Sequence, residues 1–459
     1  MNKIESFFVT KVGVSFNKVF SLLLTLFLLW GFALGLLDIL NNHFKEIIHA
    51  NASKLAYILL TYYAGYLIMP LLSSRFAERF GYKNGIILGL MLYALGAFLV
   101  FPTSQFHSFP LFLFSMFSIA MGMAALETVV NPYTTLVGQN KYATFRITLG
   151  QSFTALGWFF GPFVGANILS DIQANKGSEF TALAVPYVGV GILVLFIAIL
   201  FLISDLPRIT PQSYKQLKIQ SIKKKEESKP LLKPRSIFKR KHFVFAVITM
   251  MFYIAAQTAF WGFYSKYLVD LFKTMESHSV IGQAFLLKMI RFIGNTNIVD
   301  DKLYHTVAAF IFSFVGFGLF SFGRFFGSFI LIGVKPSRLL RISAINGFIC
   351  SILIALNLGI ISFVALCLIS LSISAMFPII FSLGIRKMGA QTKRASAYLI
   401  MAIAGGSAYP ILTNIYSAEN PVTVGLIILI ISFFVVFMYG FKGYKIDDKT
   451  RQSLMADDM

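Results

Sequence analysis

The chain has 459 residues, of which 57% are hydrophobic, 16% aromatic and only 13% charged, and its mean hydropathy is +0.75. Soluble domains are about 45–50% apolar and about 25% charged, so this composition excludes a water-soluble enzyme and a disordered chain. With only two cysteines, both in apolar runs, the sequence indicates no disulfide framework. Most of the chain is therefore expected to lie in lipid.

The net charge of +21 comes from 40 lysines and arginines against 19 acidic residues. Membrane proteins collect lysine and arginine in their cytoplasmic loops. If both termini are cytoplasmic, the segments on that side carry 31 of the 40 basic residues and those on the other side carry eight. The asymmetry explains the charge without a nucleic-acid partner. It predicts a multi-pass protein of the plasma membrane (the inner membrane of a bacterium) with both termini in the cytoplasm.

Apolar runs of about 20 residues are long enough to cross a bilayer as helices. They are continuous rather than alternating, which disfavours a membrane β-barrel. The predicted fold class is an all-α membrane protein with twelve transmembrane helices. The predicted spans are 18–41, 54–74, 84–102, 109–133, 145–169, 181–204, 240–268, 303–331, 338–357, 360–386, 393–416 and 421–441.

Segment 205–239 is polar, basic and interrupted by prolines, and it is too charged to enter lipid. It separates six spans from six, which predicts two six-helix bundles, 1–204 and 240–459, related by duplication and joined by a cytoplasmic linker. An outside loop, 270–302, contains VIGQAFLLKMIRFIG. Its apolar face and two basic residues predict an interfacial or lid-like helix.

Three charged residues stand inside predicted spans: Asp38, Glu127 and Arg324. A charge at this depth costs roughly 2.5–3.5 kcal/mol on insertion scales, so each should face a polar cavity or a partner. Desolvation favours the neutral form of a carboxyl group, which suits a group that loads and releases a proton. The two acids could instead be structural, neutralised by helix ends or buried amides.

Asn131 stands four residues after Glu127 in the fourth span and so on the same helical face.

Polar and aromatic residues recur at helical spacing along two further spans. An amide offers donors and an acceptor, and an aromatic face stacks on the C–H face of a sugar ring, so such pairs suit a neutral polyol. Aromatic residues at this spacing are also typical of a helix core. The stripes are Gln151, Thr154, Trp158 and Pro162 in the fifth span and Tyr253, Gln257, Trp261 and Tyr264 in the seventh.

The segment between spans two and three reads SRFAERFGYKNG. Glu78, Arg79 and Lys83 make it a tight charged turn. The basic residues could pair with helix C-termini or with acids in one conformation only, as a conformational latch. Arg324 is assigned to the same latch. A solvated loop that satisfies the positive-inside rule is the alternative.

Searches for catalytic motifs find none: the chain lacks GxxxxGK[ST], HExxH and GxSxG. Its six histidines fall in loops or at span edges without the spacing of metal ligands. We therefore expect neither an enzyme nor a bound metal or cofactor.

Six plus six helices, the basic linker and ERFGYK after the second span resemble the major facilitator superfamily. Ser74 and Tyr82 depart from the usual G-x-x-x-[DE]-R-x-G-[RK]-[RK]. Within it, the chain is similar to the fucose–galactose/glucose–proton symporter (fucose permease-like) group. The segments that carry this resemblance are FLLWGFALGLLDILNNHF, GMAALETVVNPY, GQSFTALGWFFGP, MFYIAAQTAFWGFY, GRFFG and AMFPIIFSLGIRKMGAQTKRASAYLIMAIAGGSAYP.

The resemblance implies that Asp38 and Glu127 take part in proton coupling and sugar binding, and that Gln151 binds substrate. Leu37 stands where members often carry asparagine. The expected function is import of a neutral monosaccharide with a proton by alternating access, by a monomer in contact with membrane lipid. Sodium coupling, an uncoupled facilitator, a carrier of another small solute and a transporter-like sensor remain open alternatives.

Overall fold

Long helices make up most of the residues that the computed structural model describes, which are 17–47, 52–106, 108–174, 179–204, 236–278, 288, 301–415 and 421–446. These ranges contain no β-strand. The helices are α1 (Asn17–Ile47), α2 (Ala52–Phe106), α3 (Phe109–Leu136), α4 (Ala143–Ala174), α5 (Glu179–Ile203), α6 (Lys241–His278), α7 (Asp301–Ile311), α8 (Phe317–Gly333), α9 (Pro336–Ala355), α10 (Ile360–Ser374), α11 (Met376–Gly384), α12 (Thr392–Met401), α13 (Ala408–Ile415) and α14 (Pro421–Met438).

Each predicted span falls on helical structure. Ten ranges of the described residues are long and apolar enough to cross a membrane, and one of them, Tyr57–Phe106, covers two of the predicted spans apart from residues 54–56. Helix α4 covers the predicted fifth span. Short π or 3-10 segments, Phe312–Gly316 and Ala402–Ser407, join α7 to α8 and α12 to α13 within single spans. The predicted all-helical architecture is confirmed.

Two boundaries differ from the sequence prediction. The charged segment 74–85 is helical on both sides of Gly81, whose φ of 88° and ψ of 171° break α2 into two helices. Because a glycine lacks Cβ, this single residue makes the turn for which a longer loop was expected. Helix α6 continues to His278, eight residues beyond the predicted start of the outside loop. The predicted lid-like helix, apart from Lys288, lies outside the described residues.

The chain divides by contact into two compact units. The first comprises the described residues of 1–248, 381–404 and 443–459, and the second those of 249–380 and 405–442. Helix α12 therefore packs within the first unit, against α2 and α3. The sequence prediction divides the chain differently, at the linker, into the bundles 1–204 and 240–459 joined by 205–239. That division into bundles stays a prediction.

A fully buried arginine fixes the junction between α3 and α4. Arg146, at the start of α4, is 0% exposed. Its guanidinium donates to the carbonyl oxygens of Thr134 (3.2 Å), Thr135 (2.6 Å) and Gln139 (2.9 Å). A cation at a helix C-terminus is favourable because the last carbonyls lack intrahelical partners. Arg146 thus holds in place the two helices that carry Glu127 and Gln151.

Candidate functional site

Glu127 lies on α3, half-buried and bonded to a tyrosine of α2. The Tyr66 hydroxyl donates to Glu127 Oε1 at 3.1 Å, and Tyr66 itself is 1% exposed. A carboxylate in this setting needs a partner, because desolvation of a charge without one costs several kcal/mol. The sequence pointed to Glu127 through its charge but not to Tyr66, which reads as one more aromatic core residue.

One helical turn further along α3, two amides meet. Gln151 Nε2 of α4 donates to Asn131 Oδ1 at 3.0 Å, and both side chains are buried. Asn131 Nδ2 is buried and has no hydrogen-bond partner among the described residues. A buried donor left in this state costs about 1–3 kcal/mol. It is therefore a position where a water or a ligand oxygen would be stabilising.

Helix α1 brings a second pair of polar groups to α4. A Cβ on Gly31 would overlap the Thr154 carbonyl, so only glycine allows this approach. Beside it, Trp30 Nε1 and Thr154 Oγ1 are buried and, within the described ranges, unpartnered. Thr154 lies one turn from Gln151 on α4, so the two pairs of polar groups meet the same stretch of that helix, one from α3 and one from α1. Trp30 was not singled out from the sequence, because only the contact of α1 with α4 distinguishes it from other aromatic residues.

Two other predicted residues of the first unit, Asp38 and Trp158, lie on α1 and α4. Asp38 belongs to α1, but its side chain lies outside the described residues. Trp158 is half-buried on α4, one turn beyond Thr154. The predicted coupling role of Asp38 and the predicted sugar contact of Trp158 stay predictions.

In the second unit, Trp261 belongs to an aromatic cluster. Its indole stacks on Phe317 at 4.4 Å between ring centroids and 11° between planes, and Phe312 and Phe320 meet it edge-on. One face of Trp261 is therefore occupied by another ring. Its Nε1 is buried with no partner in the described part of the chain, and Gln257, one turn earlier on α6, is half-buried.

Arg324 is held inside the second unit by neutral groups. It is 6% exposed, its Nε donates to the Ser374 carbonyl at 2.7 Å, and its guanidinium lies 4.3 Å from the Phe320 ring centroid. Ser374 is the last residue of α10, so the arginine meets the negative end of a helix. The Tyr253 hydroxyl donates to the next carbonyl back, that of Ile373, at 3.0 Å.

The predicted latch residues of α2 have three different partners. Glu78 accepts two hydrogen bonds from Arg394 of α12, at 2.9 and 3.1 Å. Lys83 donates to the carbonyls of Leu202 and Ser204, at 2.8 and 2.7 Å, at the C-terminus of α5. Arg79 lies 5.3 Å from the ring centroid of Phe80.

Lys393, beside Arg394, also joins α12 to α2, but its partners there are uncharged. Its ammonium donates to the Ala77 carbonyl at 2.6 Å and lies 4.5 Å from the Tyr82 ring centroid. The sequence singled out neither Lys393 nor Arg394. The basic run that ends in KR before an apolar span was a signal only for orientation in the membrane.

The chain is similar to known transporters over almost its whole length. The L-fucose-proton symporter of Escherichia coli (strain K12) is 27% identical over 438 residues, 92% of each chain. The Glucose/galactose transporter of Brucella abortus (strain 2308) is 27% identical over 425 residues, 92% of each chain. These similarities confirm the predicted resemblance to the fucose permease-like group.

Solved structures agree with these relatives. A crystal structure of the transporter FucP in the outward conformation matches with a TM-score of 0.72 and 26% identity, covering 93% of this chain and 99% of that one. The proton:xylose symporter XylE, with a TM-score of 0.61 and 13% identity over 93% and 94% of the two chains, shares the fold. Residues 19–413 match the Major Facilitator Superfamily as a family. The chain is a multi-pass membrane transporter rather than an enzyme, and it belongs to the Major Facilitator Superfamily.

Proposed function

We propose that this protein imports a neutral monosaccharide together with a proton. The observation that carries the proposal is the position of Glu127, bonded to Tyr66 and one turn from the buried Asn131–Gln151 amide pair. A group able to take a proton and groups able to bind hydroxyls thus lie on the same helices. Relatives named as an L-fucose-proton symporter and a Glucose/galactose transporter support the same substrate class.

The sugar would be bound by amides and aromatic rings. Asn131 Nδ2, buried without a partner within the described residues, would donate to a substrate hydroxyl. Gln151 would share that hydroxyl or bind its neighbour, since an amide both donates and accepts. Trp158, Gln257 and Trp261 are the further candidate contacts; because one face of Trp261 rests on Phe317, only its edge or Nε1 would meet a sugar.

Proton coupling would depend on Glu127, with Asp38 as the second carboxyl. An ionised carboxyl group is costly to carry through an apolar closed state, whereas a protonated one is not. Protonation and sugar binding would together favour reorientation, since a ligand shifts an equilibrium only through its different affinity for two states. The carrier would then alternate access to the two sides of the membrane.

The latch would be centred on the Glu78–Arg394 ion pair. It joins α2 to α12, so a change of state that separates these helices would have to break it. Lys83, which caps the C-terminus of α5, and Arg79 would be further members of the latch. Arg324, which donates to the carbonyl at the C-terminus of α10, would be the latch residue of the second unit.

We also infer how the protein lies in the membrane. Both termini and the linker 205–239 would be cytoplasmic, since most lysines and arginines then lie inside. The predicted location is the plasma membrane (the inner membrane of a bacterium), and the predicted assembly is a monomer surrounded by lipid.

The experiment is uptake into proteoliposomes that contain the purified protein. L-fucose, D-galactose and D-glucose would each be offered with an inward proton gradient, an inward sodium gradient or no gradient. The proposal expects accumulation of at least one sugar above its outside concentration with the proton gradient only. Equal uptake under all conditions would indicate a facilitator, accumulation with sodium alone would indicate a different coupling ion, and no uptake of any sugar would refute the substrate class.

A further inference from the structure

Two tyrosines of α2 lead to Glu127. Tyr66 donates to Glu127 Oε1 at 3.1 Å, and the rings of Tyr62 and Tyr66 lie 5.1 Å apart between centroids. Tyr66 is 1% exposed, and Tyr62, one turn nearer the start of α2, is half-buried.

The packing of α2 on α3 explains how Tyr66 reaches the carboxylate. A Cβ on Gly65 would lie 2.8 Å from the Ala120 Cβ and 3.1 Å from the Met121 nitrogen. The absence of a side chain at this position lets the two backbones approach closely, beside the residue that reaches across. The hydrogen bond is therefore set by the helix interface and not by a mobile loop.

The chemistry of the groups fixes the direction of each bond. An ionised carboxylate accepts hydrogen bonds only, and a phenol has one proton to donate. When Glu127 is ionised, Tyr66 must therefore donate its proton to the carboxylate. Hydrogen bonds to an ionised group are about twice as strong as bonds between neutral groups. The arrangement therefore stabilises the ionised carboxylate more than the neutral acid.

Resting on the proposed function, we propose that Tyr66 is a positioning residue that keeps Glu127 ionised and oriented until it takes its proton. The hydroxyl of Tyr66 thereby determines the pH range over which the carrier loads.

Two neutral side chains of the described residues bond to α3 near Glu127. From α4, Gln151 bonds to Asn131, and from α12, Ser396 donates to the Thr128 carbonyl at 2.8 Å. From α2, the titratable groups are Tyr66, which bonds to Glu127, and Tyr62, which packs on Tyr66. Two further tyrosines of α2, Tyr82 and Tyr93, pack on α3 at Tyr133 and Gly122. On α1, the Asp38 side chain lies outside the described residues, so a variant at Asp38 belongs in the test.

A purely structural tyrosine makes a different prediction. If Tyr66 only satisfies a polar atom in the helix interface, removing its hydroxyl lowers stability and leaves proton loading unchanged. Tyr267 provides the matched control: it is 5% exposed and its hydroxyl also donates over 3.1 Å, but to the Ile354 carbonyl in the second unit. Tyr66→Phe and Tyr267→Phe each remove one oxygen and one hydrogen bond of the same length.

The readout is the carboxyl C=O infrared band of the purified protein, titrated with pH and assigned to Glu127 by its loss in Glu127→Gln. Tyr66→Phe is expected to raise the pH at which the band is half-developed by about one unit, as the loss of a hydrogen bond to a charged group implies. Tyr267→Phe and Asp38→Asn measure, respectively, the effect of one lost hydroxyl and of the second carboxyl. The same shift should appear in the pH profile of sugar uptake.

An unchanged half-point in folded Tyr66→Phe would overturn the proposal. If Tyr66→Phe fails to fold, 3-fluorotyrosine in place of Tyr66 keeps the shape while making the phenol a stronger donor; the half-point must then fall, and an unchanged value would again overturn the proposal. The infrared titration requires no transport. Absence of proton-driven sugar uptake by the wild-type protein would therefore contradict the proposed function and not the role of Tyr66.

Discussion

Arg394 donates two hydrogen bonds to the Glu78 carboxylate, from Nε to Oε1 at 2.9 Å and from Nη2 to Oε2 at 3.1 Å. The two residues are 316 positions apart in the chain, and they join the middle of α2 to the start of α12. The arginine side chain is 59% exposed and the glutamate 28%. Exposed ion pairs contribute about 0.2–1 kcal/mol, enough to adjust a conformational equilibrium without locking it.

Reversing one charge of this pair should change the exchange rate, and reversing both should restore it. We expect Arg394→Glu to alter sugar counterflow about two- to five-fold, since repulsion replaces an attraction of up to about 1 kcal/mol. Glu78→Arg combined with Arg394→Glu should return the rate towards that of the wild type. Counterflow at low and high salt is the measurement.

Arg338→Glu is the control for this experiment, because Arg338 is an exposed arginine of α9 outside the pair. The interpretation as a latch fails if the double variant is no closer to wild type than Arg394→Glu alone.

Loss of the amide of Gln151 should weaken sugar binding more than it weakens the fold. Gln151→Leu removes the donor to Asn131 Oδ1 and leaves a second buried atom without its partner, at a cost of about 1–3 kcal/mol. We expect the melting temperature to fall by a few degrees and the stabilisation by added sugar to disappear. Thermal unfolding in detergent, with and without sugar, measures both effects.

Ser432→Ala is a suitable control for Gln151→Leu, since Ser432 is a buried polar residue of α14 in the second unit. The melting temperature of Ser432→Ala should differ only slightly from that of the wild type, and added sugar should still stabilise this variant. If Gln151→Leu is stabilised by sugar as much as the wild type, Gln151 does not bind substrate.

Arg146 should be required for stability rather than for transport. Its guanidinium bonds to three carbonyls at the junction of α3 and α4 while 0% exposed. Arg146→Met leaves those oxygens without a charged donor and should cost about 3 kcal/mol or more. Arg146→Lys should recover part of this loss, because a single ammonium cannot reproduce the planar fork.

Melting of the purified variants tests this prediction, with exposed Lys141→Gln on the same junction as the reference. Arg146→Met that melts like Lys141→Gln would show that the carbonyls find other partners at little cost.

The helices could be predicted because each is an apolar run of the length that a bilayer requires. The residues Glu127, Asn131 and Gln151 could be found for the related reason that polar groups are expensive in such runs. Each is identified by its own chemistry in its own helix, so no knowledge of the packing is needed.

The partners could not be predicted, because they depend on which helices touch. Tyr66 and Trp30 are aromatic residues among many, and only the interfaces of α2 with α3 and of α1 with α4 distinguish them from ordinary core. Phe317, likewise, covers a face of Trp261 that was predicted from the sequence to stack on a sugar. Arg394 is identified as the partner of Glu78 only by tertiary structure.

Coupling of sugar to a proton through Glu127 is tested most directly by sugar-induced proton movement into proteoliposomes that hold a pH-sensitive dye and start with no gradient. Adding a transported sugar outside should acidify the interior of wild-type vesicles, whereas Glu127→Gln vesicles should exchange labelled sugar and show no acidification. Sugar entry into wild-type vesicles at a constant internal pH, or acidification by Glu127→Gln equal to that of the wild type, would contradict the claim that Glu127 couples a proton to the sugar.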